Sequence, residues 1–384
     1  MHNRADASLT PPGFPPARCR RIVVKIGSAL LVDPAGNPRE AWLRALVAEI
    51  AERRAEGQQV ILVSSGAIAL GARRLGLAKG GRGSLEDAQA AAAVGQIALS
   101  QAWAMLLGER GITAAQMLVT LDDLENRRRY LNASATLERL LSLGAVPVVN
   151  ENDSVATAEI RFGDNDRLAA RIGQAARADA VVLLSDVDGL YTANPHVDAT
   201  AMLVEVVERI DARIMAMADG GSGSGMGSGG MRSKIEAAKI ATGAGAHLAI
   251  ISGHVEKPLD HWAKGGRGTI FHAADAKRAR KSWLAGRLTT RGHIQIDAGA
   301  ERALGKGNSL LPIGVKAVTG SFARGDVVDI VAEDGRVLAR GLAEYDSADA
   351  VRIAGHRSED ISAILGDMPR SALVHRDHMV LLHP

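Results

Sequence analysis

Six short apolar runs divide the first 250 residues, and between them apolar residues recur at the three- and four-residue spacing of helices. The first, Arg21 to Ile26, reads RIVVKI and ends at Gly27. Val60 to Val63, Thr113 to Val119, Val146 to Val149, Ala180 to Leu184 and His247 to Ile251 repeat the pattern. Runs without polar alternation are those of strands covered on both faces. After Pro38, Leu43, Leu46, Val47 and Ile50 fall on one helical face closed by Gly57, and further helices are expected over Ala88 to Leu107, Asn132 to Leu143 and about Ser233 to Ala244. Strand and helix in alternation predict an α/β fold, a mostly parallel open sheet with helices on both faces, reaching about residue 272. With aromatic residues at only 3% of the chain, its core must be Ala, Val, Leu and Ile.

The pattern changes after that point. Residues 1–20 are Pro-rich and read as a disordered extension, residues 21–272 as the first domain, and 273–285, with Lys277, Arg278, Arg280 and Lys281, as a solvated linker. From 286 to 384, segments such as Val315 to Thr319, Val327 to Val331 and Val337 to Gly341 alternate with Gly turns, the signature of a small β-rich domain. That stretch carries 12 Lys and Arg against 13 Asp and Glu, which is no basic nucleic-acid footprint. The whole chain is at +3, too weak a bias to point to a polyanion or a membrane. A single cysteine, Cys19, excludes an internal disulfide framework, and no apolar run is expected to reach the roughly 18 residues of a membrane span. A cytoplasmic protein without membrane attachment is the expectation.

Polar residues gather where the runs end. Lys25 closes the first strand, at the carboxyl edge where α/β sheets bind ligands, although a lysine can simply end a strand. Ser64, Ser65 and Gly66 follow the second; Gly66 permits close backbone approach, and Ser65 could equally be a helix cap. Asn150, Asn152, Asp153, Asp164, Asn165 and Asp166 fall within 17 positions, more short polar side chains than a turn and a cap at Asp164 require. Asp153 and Asn165 suit an α-amino group, and Asp166 is placed to hold two lysine ammonium groups. Ser185 and Asp186 open a turn-rich loop. The segment DGGSGSGMGSGGMRSK enters a helix with Lys234 in its first turn, where the helix dipole disfavours a cation unless an anion binds there; it lacks the GxxxxGK[ST] pattern of a P-loop. No Asp, Glu or His cluster has metal-ligand spacing, so Mg²⁺ is expected to enter with a nucleotide.

VVKIGS, SSGAIALG, PVVNENDSVATAEIRFGDND, SDVDGLYTANP and GSGGMRSK stand together in an order that resembles the amino acid kinase family, most closely its glutamate-phosphorylating members. The resemblance implies ATP-dependent phosphorylation of the side-chain carboxylate of L-glutamate, the entry step of proline biosynthesis. It implies Lys25 and Lys234 at the transferring phosphate, Asp166 orienting both, and Ser65, Asp153 and Asn165 on glutamate. Lys25, Ser185, Asp186, Ser228, Gly229, Gly230, Met231, Arg232, Ser233 and Lys234 would contact ATP. Feedback by proline and a homo-oligomer are further expectations. Ser185 stands where the family has Thr, and Arg232 replaces a small polar residue. The C-terminal stretch, with GNSLLPIGVKAVTGSFARGDVV, resembles a PUA domain; its near-neutral charge argues against RNA binding. An aspartate or acetylglutamate kinase, and a tethering protein with a vestigial kinase part, are the competing readings.

Overall fold

A computed structural model describes residues 13–33, 38–155, 165–218, 230–273, 290–366 and 370–382. The chain divides into two compact units, residues 1–276 and 277–384.

In the first unit the strands are β1 (Arg21–Ile26), β2 (Gln59–Ser64), β3 (Ala114–Val119), β4 (Val146–Glu151), β5 (Ala180–Ser185), the short β6 (Leu190–Tyr191), β7 (Leu203–Val204) and β8 (Val206–Val207), then β9 (His247–Ser252) and β10 (Gly268–Phe271). An eight-stranded sheet runs β3-β4-β2-β1-β5-β9-β10-β8. From β3 to β9 every pairing is parallel, and β10 alone is antiparallel to β9. β1 lies at the centre, in register with β2 and β5. Successive residues serve opposite faces: Ile22, Val24 and Ile26 join one apolar cluster and Val23 the other. Both faces are therefore dry, which is why these strands read as unbroken apolar runs.

The helices are α1 (Ser28–Leu31), α2 (Glu40–Ala55), α3 (Ala67–Leu75), α4 (Leu85–Gly108), α5 (Leu121–Glu125), α6 (Arg127–Ser142), α7 (Asn165–Ala176), α8 (Ala212–Met217), α9 (Met231–Gly243) and α10 (Pro258–Ala263). α2, α4 and α10 supply the first cluster, α6, α7 and α9 the second.

Two expectations are corrected here. Residues 13–20 belong to the packed unit: Phe14 is fully buried, edge-on to Trp262 at 5.1 Å, and Cys19 is buried. Their backbone carbonyls are taken up by side chains, Gly13 O by Arg53 at 2.9 Å and Phe14 O by Gln58 at 2.9 Å. A Pro-rich segment needs no regular structure when side chains satisfy its carbonyls. Second, α4 is long and apolar enough to cross a membrane by length and composition, because Ala88 to Gly108 carries no charge. Its Leu99, Trp103, Leu106 and Leu107 are buried in the first cluster, the packing of a core helix.

α3 and α4 cross on glycines. A Cβ at Gly95 would lie 1.8 Å from the carbonyl oxygen of Ala67, and one at Gly71 1.8 Å from that of Ala91. Gly95→Ala would gain about 1 kcal/mol of helix propensity, but backbone atoms cannot yield to such an overlap. The variant is expected to be less stable by about 2 kcal/mol, within the range for overpacked cores. A lowered urea midpoint checks this; an unchanged one would mean the helices separate freely.

The second unit has β11 (Gly292–Ile296), β12 (Val315–Gly320), β13 (Val327–Val331), β14 (Val337–Ala343) and β15 (Val374–Leu381) in the order β12-β11-β13-β14-β15, with α11 (Ala298–Gly305), α12 (Ser347–Ile353) and α13 (Ile361–Leu365). Ile294, Ile296, Val328, Ile330 and Leu373 centre its separate core. The expected linker, apart from Ala273, lies outside the described residues.

Candidate active site

The carboxyl ends of β1, β2, β4 and β5 converge because those strands are parallel neighbours, and a cavity of about 730 Å³ opens there. That volume is of the size that encloses small substrates and cofactors. Lys25 reaches it from β1. Ser65 and Gly66 reach it from the β2–α3 turn, where Gly66 adopts φ +99°, a conformation that costs glycine little. Asn150 comes from β4 and Asp153 from the 3₁₀ turn after it, while Ser185 and Asp186 end β5. Gly230, Met231 and Lys234 come from the start of α9.

Asp166, in the first turn of α7, is buried beneath this floor between two cations. Its Oδ1 lies 2.7 Å from Lys25 Nζ and its Oδ2 3.0 Å from Lys234 Nζ. Burial pushes its pKa up, but the ammonium groups of Lys25 and Lys234 outweigh that and hold it below the usual carboxylate range. One carboxylate thus fixes two lysines from distant elements, β1 and α9, leaving their positive charge directed at the cavity.

At Asp153 the balance is reversed. Asp153 is 7% exposed, and burial raises its pKa to about 6, with Arg82 across the cavity wall offsetting part of the cost. Asp153 Oδ1 and Asn165 Oδ1 are buried acceptors with no hydrogen-bond donor among the described residues. The Asn165 Nδ2 is engaged, donating to Ser65 Oγ at 2.8 Å and to Asn150 Oδ1 at 3.1 Å. Both residues line the cavity, and a buried acceptor without a donor is the complement of a cationic group.

Of the residues expected to contact the nucleotide, Ser185, Asp186, Gly230, Met231 and Lys234 line the cavity. The Ser185 hydroxyl donates to Asp186 at 3.0 Å. Ser233 is half-buried and away from the cavity wall, and Arg232 is exposed and paired with Glu236 at 3.6 Å. Ser228, Gly229 and the Asp164 cap lie outside the described residues. Arg82 and, as a wall residue, Asn150 were not among the expected contacts. Asn150 stood in the polar cluster, but nothing in the sequence around Arg82 marks it.

Sequence comparison agrees with this geometry. Residues 20–252 match the amino acid kinase family and residues 292–365 the PUA domain. The glutamate 5-kinase of Sphingopyxis alaskensis is 67% identical over 96% of this chain and 99% of its own length. Those of Zymomonas mobilis and Rhizobium etli are 60% and 54% identical, each over 96% of this chain and 93% and 94% of their own. Likeness of that degree, carried through both units, leaves no other placement: the chain belongs to the amino acid kinase family, among its glutamate 5-kinases, and carries a PUA domain.

Proposed function

We propose that this protein transfers the γ-phosphoryl group of ATP to the side-chain carboxylate of L-glutamate, giving L-glutamyl 5-phosphate, the first step of proline biosynthesis. The observation that carries the proposal is the Lys25–Asp166–Lys234 clamp at a cavity that is also lined by Asp153 and Asn165, each with a donor-free acceptor. An amino acid seated with its ammonium on Asp153 and Asn165 directs its side-chain carboxylate toward the lysines.

That carboxylate is ionised at pH 7 and needs no general base. Its oxygen attacks the γ-phosphorus as the bond to the β-phosphate oxygen breaks, and ADP leaves. Lys25 and Lys234 meet the charge that gathers on the transferring group, and the rest is positioning. Ser185, Asp186, Gly230 and Met231 form the wall for ATP, with Ser228 and Gly229 in the same role. Mg²⁺ is carried in with the ATP phosphates. Proline carries an ammonium that the same acceptors would take, so it is expected to compete with glutamate. A homo-oligomer is part of the proposal, supported by exposed Ile97 and Met105 on α4. RNA binding by the PUA domain is not.

The test is ADP release that depends on L-glutamate, with an acyl phosphate trapped in equal amount. ADP release without a trapped acyl phosphate would contradict the proposal.

The pKa of Asp153 gives a pH signature. An acid whose folded pKa is raised favours folding below its ordinary value near 3.9 and loses that contribution as pH rises through about 6. Substrate ammonium needs the opposite, the ionised form. KM for glutamate should therefore rise as pH falls through about 6, while Asp153→Asn shows a flat profile, a KM raised at least ~10-fold at pH 8, and a higher melting temperature without substrate. A variant that kept the wild-type profile would place the titration elsewhere.

A further inference from the structure

We infer that Gln96, which does not line the cavity, acts with the Ser64 carbonyl to hold the Asn165 amide with one chosen end toward the amino acid; this rests on the glutamate reading above. An amide side chain has a donor end and an acceptor end of nearly the same shape, and only the acceptor end suits an ammonium. Something must fix the choice.

Asn165 Nδ2 lies 3.5 Å from the Ser64 carbonyl oxygen. A carbonyl only accepts, so the atom facing it is the nitrogen. The same nitrogen donates to Asn150 Oδ1 at 3.1 Å, which turns Asn150 Nδ2 toward Gln96 Oε1 at 2.8 Å. Gln96 Nε2 then donates to Ser100 Oγ at 3.3 Å, and the Ser100 hydroxyl donates to the Gln96 backbone carbonyl at 2.8 Å. Donors run through Asn165, Asn150, Gln96 and Ser100, and each end of the chain is a backbone carbonyl that cannot reverse its role. Turning any one amide sets nitrogen against nitrogen or oxygen against oxygen at a neighbouring link.

The result is that Asn165 Oδ1, 3% exposed by residue, is left as an acceptor without a protein donor. Gln96 is one turn from Ser100 on a 24-residue helix held against α3 beside it at Gly95. The relay therefore rests on a rigid element, and Gln96 is a positioning residue that acts through Asn150.

The test compares L-glutamate with glutarate, which has both carboxylates and lacks the ammonium. Dissociation constants are measured by calorimetry on the full-length protein without ATP, alongside ATP affinity. Gln96→Leu removes the acceptor for Asn150 and should weaken glutamate about tenfold, glutarate and ATP by less than about twofold, so that the preference for the ammonium collapses. Gln96→Glu retains an acceptor oxygen and should keep that preference within about threefold of wild type. A Gln96→Leu protein with the wild-type preference, or a Gln96→Glu protein as impaired as Gln96→Leu, overturns the inference. Should Gln96→Leu fail to fold, Ser100→Ala frees the Gln96 amide to turn and should reduce the same preference about threefold; no reduction overturns it. Wild type that binds glutamate but forms no acyl phosphate refutes the kinase reading alone, and the relay is still decided by the binding ratios.

Discussion

Lys234→Ala is expected to lower kcat by roughly 10²- to 10³-fold, the effect of removing one positive group aimed at charge that develops in the transition state. Lys234 Nζ is held 3.0 Å from Asp166 Oδ2 at the entry of α9, where the helix dipole alone would repel it. The position is thus maintained by Asp166 and becomes useful only when phosphate is present. KM for glutamate should stay within about threefold, because the ammonium end of the cavity is untouched. Steady-state kinetics of a folded variant checks this, and an unaltered kcat would make the lysine structural.

Asp166→Asn should be costlier, because it leaves two nearly buried ammonium groups, with side chains 10% and 7% exposed, without their counter-charge. Breaking a buried ion network by removing one partner typically costs about 3–5 kcal/mol. The expected result is a lower melting temperature together with a kcat loss of about 10²-fold or more, since both lysines lose their anchor. The folded pKa of Asp166 is depressed, so its contribution is complete above the ordinary carboxylate value and disappears as pH falls below it. The stability gap between wild type and variant should hold from neutral pH to about pH 4 and close in stronger acid. A variant of wild-type stability and activity would mean that the clamp holds nothing in place.

Much of this was legible in the sequence because it is local. Strand ends carry their own punctuation, so Lys25, Ser65, Asp153 and Ser185 could be assigned to one sheet edge from the order of strand and turn. Contacts across the fold were not legible. Phe14 finds Trp262, and Arg53 finds the carbonyl of Gly13, through packing that no local pattern announces. Arg82 reaches the cavity from a turn whose Lys79 and Gly80 both adopt positive φ, and the Gln96 relay joins residues 54 apart in sequence. Reading a motif as one unit also has a geometric cost. In GSGGMRSK, helical rotation by about 100° per residue sends Lys234 inward and Arg232 out to Glu236.

The cavity is expected to select L-glutamate and to activate no other acid as well. Acyl phosphate trapped as hydroxamate, with ATP and with L-glutamate, L-aspartate or N-acetyl-L-glutamate compared side by side, tests it most directly. Asp153 and Asn165 need a free ammonium, and the distance from them to the two lysines must match the side chain, so product is expected with L-glutamate and at most trace amounts with the other two. Product from aspartate or N-acetylglutamate alone would contradict the account.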